Sequence, residues 1–370
     1  MSVDACFLFR GDIRFDTRMA NMVGTYVKRG GQVTVIQGGD EDRSYDYHGA
    51  KVISFRNKES GPFGFFKFWM RASQLASRVR AQVFWASDLY ALPIALWRAK
   101  SLGVKSGYDS RELFAHLGAL KSSKMKQKFW YGLEKKLIGR SDMVITSGDM
   151  DSDYLEERYH IPRPVVVRNV PPFTSVARSN RLRDELGIPD AMPVCVYQGV
   201  MVEGRGIGIM IELAALMPDV AFVFIGDGAL TQTITHSATT QKNIYHIPKV
   251  NKEELLSYAA SATLGLALIE PITLSYLLAL PNKLFEYIMA GTPVVVSYAP
   301  QMERIVDEYG VGITVPFDCM GDIHGAIRAL LDSPEALAAC AARCLDAARE
   351  LCWEKEEGDF VAFARTEGLL

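Results

Sequence analysis

The residues best equipped for chemistry fall in one stretch, 281–297, which reads PNKLFEYIMAGTPVVVS. Asn282 and Glu286 stand four apart and so share a helix face, and Lys283 adds a cation three residues before the carboxylate. Leu284, Phe285, Ile288 and Met289 fit a short helix over 282–290 with one buried face. Gly291 ends that helix at a left-handed C-cap, and Val294, Val295 and Val296 make the β-branched run of a buried parallel strand. Upstream, 262–269 reads as another core strand, and 270–280, with Ser275 in it, as the loop leading into the helix. The helix start thus follows the carboxyl end of a strand, where a doubly wound sheet seats its ligands and where unpaired backbone amides favour phosphate. Two readings stand: a phosphate site, or a plain helix in which Glu286 pairs with Lys283 and binds nothing.

Holding such a site takes an α/β framework, and the chain has room for one twice over. Its 370 residues suit two domains with ordinary cores, and 49% hydrophobic with 23% charged residues is the balance of a soluble globular protein. Core strands are expected at 5–9, 32–36, 83–86, 105–108, 143–147 and 165–167, then at 194–198, 221–225, 245–247, 294–296 and 310–314. The first strand, a polar loop at 10–18 and an amphipathic helix at 19–29 open a Rossmann-like unit. That loop lacks the GxGxxG of a nicotinamide dehydrogenase. Pro171, Pro172 and the polar run to Asp190 read as a linker. The expected domains are therefore 1–170 and 191–350, with 351–370 as a terminal helix.

Net charge is only −2, but it is unevenly spread: 61–140 holds 15 Lys plus Arg against 4 Asp plus Glu. A basic half of this kind suits anionic lipid, nucleic acid or an anionic substrate. Within it, Phe63, Phe65, Phe66, Phe68 and Trp69 stand beside Lys67, Arg71, Arg78 and Arg80, and Lys121, Lys124, Lys126 and Lys128 lead into Phe129, Trp130 and Tyr131. Such segments either lie in a membrane interface or form solvated helices with a buried aromatic face. Six scattered cysteines, without a CxxC pair, point to a reducing compartment. The start of the chain reads as a first strand and not a signal peptide, and the longest apolar stretch, 264–280, is broken by Glu270 and Pro271.

The 281–297 stretch resembles the family 4 glycosyltransferases of the GT-B fold, in a bacterial branch with a motif close to PNKLFEYMAAGxPVV. Other segments extend the resemblance: RNVP at 168–171, YQGVMVEGRGI at 197–207, Gly226-Asp227-Gly228, and Cys352-Trp353-Glu354 at the terminal helix. It implies two Rossmann-like domains facing a central cleft, with the last helix crossing back. It further implies retaining, metal-independent transfer of a hexosyl group from a UDP- or GDP-linked sugar to a lipid-linked or saccharide acceptor, with no resident cofactor. In the family the glutamate at Glu286 holds the donor ribose, and a second glutamate stands eight residues earlier, where this chain has Leu278. Arg205 and Lys283 would neutralise the diphosphate, Arg205 through the two parallel bonds its fork allows. Gly199, Gly206, Gly226, Ser275, Asn282 and Leu284 would lie along the donor, and backbone groups around Lys249 and Val250 would read the base.

In the first domain, Ile13 and Arg14 occupy the place of the family's Gly-Gly pair. Asp16 and Arg18 fit a D-x-R pattern, either acceptor-side or structural. Arg111 replaces the usual histidine of a YDxHE-like segment and is followed by Glu112, with His116 as its substitute or as a structural residue. Asp151-Ser152-Asp153 spells the DxD that binds metal in the other glycosyltransferase fold, but acids at a helix start also serve as caps. The resemblance sets the protein in bacterial cell-surface polysaccharide or glycolipid assembly, in the cytoplasm, at an anionic membrane surface and without nucleic acid. The rival readings are a non-catalytic sugar-nucleotide or membrane-binding subunit and a nucleotide-sugar 2-epimerase.

Overall fold

The structure, a computed structural model, describes residues 2–59 and 61–370. The chain divides into two compact units, the first running to Arg168 and regaining Glu354–Leu370, the second spanning Asn169–Trp353.

The first unit is built on β1 (Ala5–Phe9), β2 (Val33–Gly39), β3 (Arg43–Tyr47), β4 (Ala50–Arg56), β5 (Val83–Ser87), β6 (Lys105–Ser110), β7 (Met143–Thr146) and β8 (Val165–Val166), in the order β3-β4-β2-β1-β5-β6-β7-β8. All pairs are parallel except β3 with β4. β1 and β5 are buried along their whole length, which is why both read as unbroken apolar runs. Between them and the terminal helix Trp353–Thr366 lies an aromatic core. Phe7 stacks on Trp85 with centroids 6.3 Å apart, and Phe360 packs on Trp85 at 5.7 Å. Trp85 Nε1 donates to the Tyr26 hydroxyl (2.8 Å), which donates to the carbonyl of Leu369 (2.7 Å). Glu356 accepts from Arg168, and Glu357 from Thr25 and Arg29. The terminal helix is thus a fixed layer of this unit.

The second unit carries β9 (Val194–Gln198), β10 (Ala221–Ile225), β11 (Ile244–Ile247), β12 (Leu264–Ala267), β13 (Val294–Ser297) and β14 (Gly312–Val315), all parallel, in the order β11-β10-β9-β12-β13-β14. This is the doubly wound order in which the connection reverses between β9 and β12. The crevice at their carboxyl ends is the place such a sheet offers a ligand.

One element is new to the structure and one expectation changes. The hairpin of β3 and β4 is absent from the sequence reading, because Arg43–Tyr47 is an edge strand of polar residues that alternate between half-buried and exposed and show no apolar run. Residues 171–190, read as a linker, belong to the second unit. Its helix Arg181–Leu186 buries Leu182, which joins Val170 and Ile188 in that unit's core. The prolines and charges of this segment masked apolar residues spaced to dock one at a time.

Candidate functional site

The site of the second unit is built from the loop after β9. Gly199 N–H donates to Ile225 O (2.9 Å), Met201 N–H to Asp227 O (3.0 Å) and Leu230 N–H to Met201 O (2.9 Å), which ties the loop to the turn after β10. On its other side, Glu270 N–H donates to Gly204 O (3.0 Å), beyond β12. Two glycines make this close approach possible. Gly206 has φ +73° and a Cβ there would strike the carbonyl oxygen of Leu268; Gly226 has φ +132° and a Cβ there would strike that of Gly199. Gly206 is also the N-cap of the helix Ile207–Leu216. The loop therefore holds Arg205 at a helix start in the crevice between β9 and β12, its guanidinium carbon 4.5 Å from the Tyr276 ring centroid.

Lys283 and Glu286 reach the same strand end from the helix Asn282–Met289. Lys283 is 7% exposed, its Nζ lies 3.5 Å from the Tyr197 ring centroid, and it borders the space beside Gly199. Burial pushes its ammonium well below the usual lysine range, the nearby Arg205 adds to this, and Glu286 opposes it. Burial likewise raises the Glu286 carboxyl, against the hydrogen bond from Gln198 Nε2 and the charge of Lys283. Two cations and one carboxylate thus converge on the end of β9, and the cations repel each other where no anion lies between them. The hydrogen bond of Glu286 is with a strand residue 88 positions away in sequence, while Lys283 acts on it through charge alone.

The other residues expected on the donor side fall into place unevenly. Asn282 is exposed at the helix start and Ser275 is buried in the turn Leu274–Leu277. Leu284, expected along the donor, turns its side chain wholly into the core, and its amide donates to Pro281 O (3.1 Å). Lys249 lies at the surface, and its amide, expected to read a base, donates to Asp227 Oδ2 (3.0 Å). Val250 packs half-buried against the core. Leu278, where the family has its first glutamate, is buried. Gln198, Tyr197 and Tyr276 were missed by sequence reasoning. The signal for Gln198 was a polar residue ending an otherwise apolar strand.

In the first unit the structure gathers Asp16, Arg18 and Arg111 at the carboxyl end of β6. Arg18, read with Asp16 as either acceptor-side or structural, is 1% exposed and held in a buried ion pair. Its Nε and Nη2 donate to Asp109 at 2.6–2.9 Å and its Nη1 donates to Val167 O. Asp16 caps the helix Thr17–Lys28 through Met19 N–H (2.8 Å) and accepts from Arg111 (2.7 Å). Burial works to raise the Asp16 carboxyl, but Arg111, the Met19 amide and Arg18 outweigh it and hold it low. Beside this cluster stands Asp88, which sequence reasoning missed. It follows β5 with φ +71°, and burial, with Glu112, Asp109 and Asp16 nearby, pushes its carboxyl up to about 8 against the pull of Arg111. Glu112 is exposed. His116 is engaged apart from the cluster, its Nε2 2.8 Å from the Tyr154 hydroxyl, and burial and Arg158 lower its pKa. Of the DxD, Asp151 lies in the first turn of the helix Asp149–Tyr159, Ser152 donates to Pro164 O, and Asp153 pairs with Arg163. Among the described residues, no three His, Cys, Asp or Glu side chains form a metal-binding group.

Comparison with known proteins follows the same division. Residues 16–170 match the family model described as Glycosyltransferase Family 4, and residues 178–344 that described as Glycosyl transferases group 1. No curated protein matches the chain. Among solved structures, the fold is similar to sucrose-phosphate synthase from Thermosynechococcus elongatus, with TM-score 0.77, 15% identity and 98% of each chain covered. It is also similar to HepE from Anabaena in complex with UDP-glucose, with TM-score 0.72, 14% identity and coverage of 98% of this chain and 99% of that one. A third is WaaG, described as a glycosyltransferase involved in lipopolysaccharide biosynthesis, with TM-score 0.72, 14% identity and coverage of 95% and 98%. At these identities the likeness establishes the fold, which is GT-B: two parallel-sheet α/β domains.

Proposed function

We propose that this chain, a family 4-like glycosyltransferase by the matches to both of its units, moves a hexosyl group from a nucleoside diphosphate sugar to an acceptor hydroxyl. The observation that carries the reading is the convergence of Arg205, Lys283 and Glu286 on the end of β9. A diphosphate there would offset the repulsion between the two cations and restore the Lys283 charge that burial weakens. The donor is UDP- or GDP-linked; that HepE is described in complex with UDP-glucose supports the first.

The chemistry follows from where charge develops. The bond between the anomeric carbon and the diphosphate oxygen breaks, and the diphosphate leaves with the electron pair. Arg205, Lys283 and the start of the helix Asn282–Met289 stabilise that charge. The acceptor oxygen then bonds to the anomeric carbon on the same face, and its proton passes to the departing phosphate oxygen. This gives retention and asks for no metal or resident cofactor. The first unit binds the acceptor, by way of the cluster of Asp16, Arg111 and Asp88.

A melting-temperature panel with UDP, GDP, ADP and CMP tests the reading. A ligand at a hundred times its Kd stabilises by about 2.7 kcal/mol, so UDP or GDP should raise the melting temperature by several degrees. A flat response to all four would sink it. Release of nucleoside diphosphate from a sugar donor then separates an enzyme from a non-catalytic sugar-nucleotide-binding subunit, a rival that the buried Leu278 in place of a glutamate keeps in view.

The acceptor we propose is lipid-linked or saccharide, in cell-surface polysaccharide or glycolipid assembly, and met at an anionic membrane surface on the cytoplasmic side. Among the described residues no helix is long and apolar enough to cross a membrane. Two helices of the first unit, Gly61–Ala76 and Lys124–Leu137, instead pack together through Phe65 and Trp130, with centroids 4.8 Å apart. They leave Phe63 (66% exposed), Phe66, Met70, Met125 (79%) and Phe129 outward, among the exposed Lys121, Lys124, Lys126 and Lys128. An apolar patch ringed with cations suits a headgroup layer. The protein should float with anionic vesicles at low salt and be lost from them at high salt. Equal recovery with neutral vesicles would count against this surface.

A further inference from the structure

We infer that Gln198 is a second arm of the donor site, its side-chain carbonyl accepting one hydroxyl of the nucleotide's ribose while Glu286 accepts the other. The inference rests on the donor reading above and adds to it a residue that decides which sugar of the nucleotide is tolerated.

Gln198 is the last residue of β9 and only 1% exposed. Its backbone is fixed: the N–H donates to the Tyr287 hydroxyl (3.0 Å), which donates to Val196 O (3.1 Å). Its side chain is fixed too, since Nε2 donates to Glu286 Oε2. That bond settles the orientation of the amide, because a carboxylate takes a donor and repels an oxygen. Oε1 is then left buried with no hydrogen-bond partner among the described residues. A buried amide oxygen without a donor is unfavourable and uncommon, and one at the carboxyl end of a central parallel strand points to a group that arrives from outside.

What arrives must carry a donor hydrogen, and it must meet two acceptors at once. Bond lengths place Oε1 about 2.2 Å from Nε2, so the free oxygen lies beside the Glu286 carboxylate. A vicinal diol presents two hydroxyl donors side by side and matches this pair. One helical turn away, Lys283 and Arg205 offer the opposite chemistry, cations for phosphate. A ribonucleoside diphosphate carries both groups in that succession; a deoxyribonucleotide lacks one member of the diol.

The test compares UDP with 2′-deoxy-UDP and 3′-deoxy-UDP by titration of the full chain, with the GDP series alongside. Wild type should bind each deoxy form about tenfold more weakly, the effect of one lost hydrogen bond. In Gln198→Met one of the two penalties should fall to within about twofold while the other, owed to Glu286, persists. Both penalties persisting, or both shrinking alike, would reduce Gln198 to a prop for Glu286 and overturn the inference. So would a wild type that binds UDP and either deoxy form equally well, a result that needs no variant. If neither UDP nor GDP binds at all, the donor reading itself has failed and this inference falls with it.

Discussion

Arg205→Ala should lower turnover of the sugar donor by about two to three orders of magnitude, the usual cost of removing one preorganised donor from developing charge. Arg205 is half-buried on a loop, rests over Tyr276, and belongs to no apolar core. The loop's shape is set by backbone bonds and by Gly206, so the variant should keep the wild-type melting temperature. The loss should fall mainly on kcat, because the diphosphate is more charged as the bond breaks than in the bound donor. Arg205→Lys should land in between: it keeps the charge and loses the fork. Steady-state release of nucleoside diphosphate measures both, and unchanged kinetics in Arg205→Ala would remove this residue from the site.

The largest effect on stability should come from Arg18→Met. Arg18 and Asp109 are both within 2% of full burial, and the guanidinium also satisfies Val167 O. Removing the cation leaves a buried carboxylate with only the more distant Arg111 Nε, 3.9 Å away, opposite it, at a cost of about 3–5 kcal/mol. That is a large part of the roughly 5–15 kcal/mol that holds a domain together. For a unit of this size it lowers the melting temperature by about 10 °C. The double variant Arg18→Met/Asp109→Leu should recover much of the loss, since an apolar pair carries no uncompensated charge. Chemical denaturation of the three variants gives the comparison. A single variant costing under about 1 kcal/mol would mean that water reaches Asp109.

The contrast between the two residues shows what spacing can and cannot reveal. Arg205 was legible through the resemblance of the 197–207 stretch to a family segment, in which it stands between Gly204 and Gly206. Arg18 sits in a similar polar setting, but its partner lies 91 positions away, so its burial depended on a strand order not written locally. Strands β9 and β10 were read to the residue because a parallel strand covered on both faces leaves an unbroken apolar run. The hairpin of β3 and β4 left no such trace, since an edge strand half in water keeps its polar residues. Glu286 and Lys283 were found from helical spacing. Gln198 and Asp88 acquire their meaning only when β9 meets the helix Asn282–Met289 and when β5 meets β6.

The first unit is discontinuous. Its opening segment ends at Arg168 and its final layer, Glu354–Leu370, comes only after the whole second unit has been written. A growing chain therefore begins the first unit early and completes it last. Until then the Trp85 face waits without Phe360, and Tyr26 without the Leu369 carbonyl. The second unit, a single uninterrupted span, can reach its final form while its predecessor is still open. Order of synthesis and order of completion are reversed, and a chaperone that shields apolar faces would find its client in the half made first.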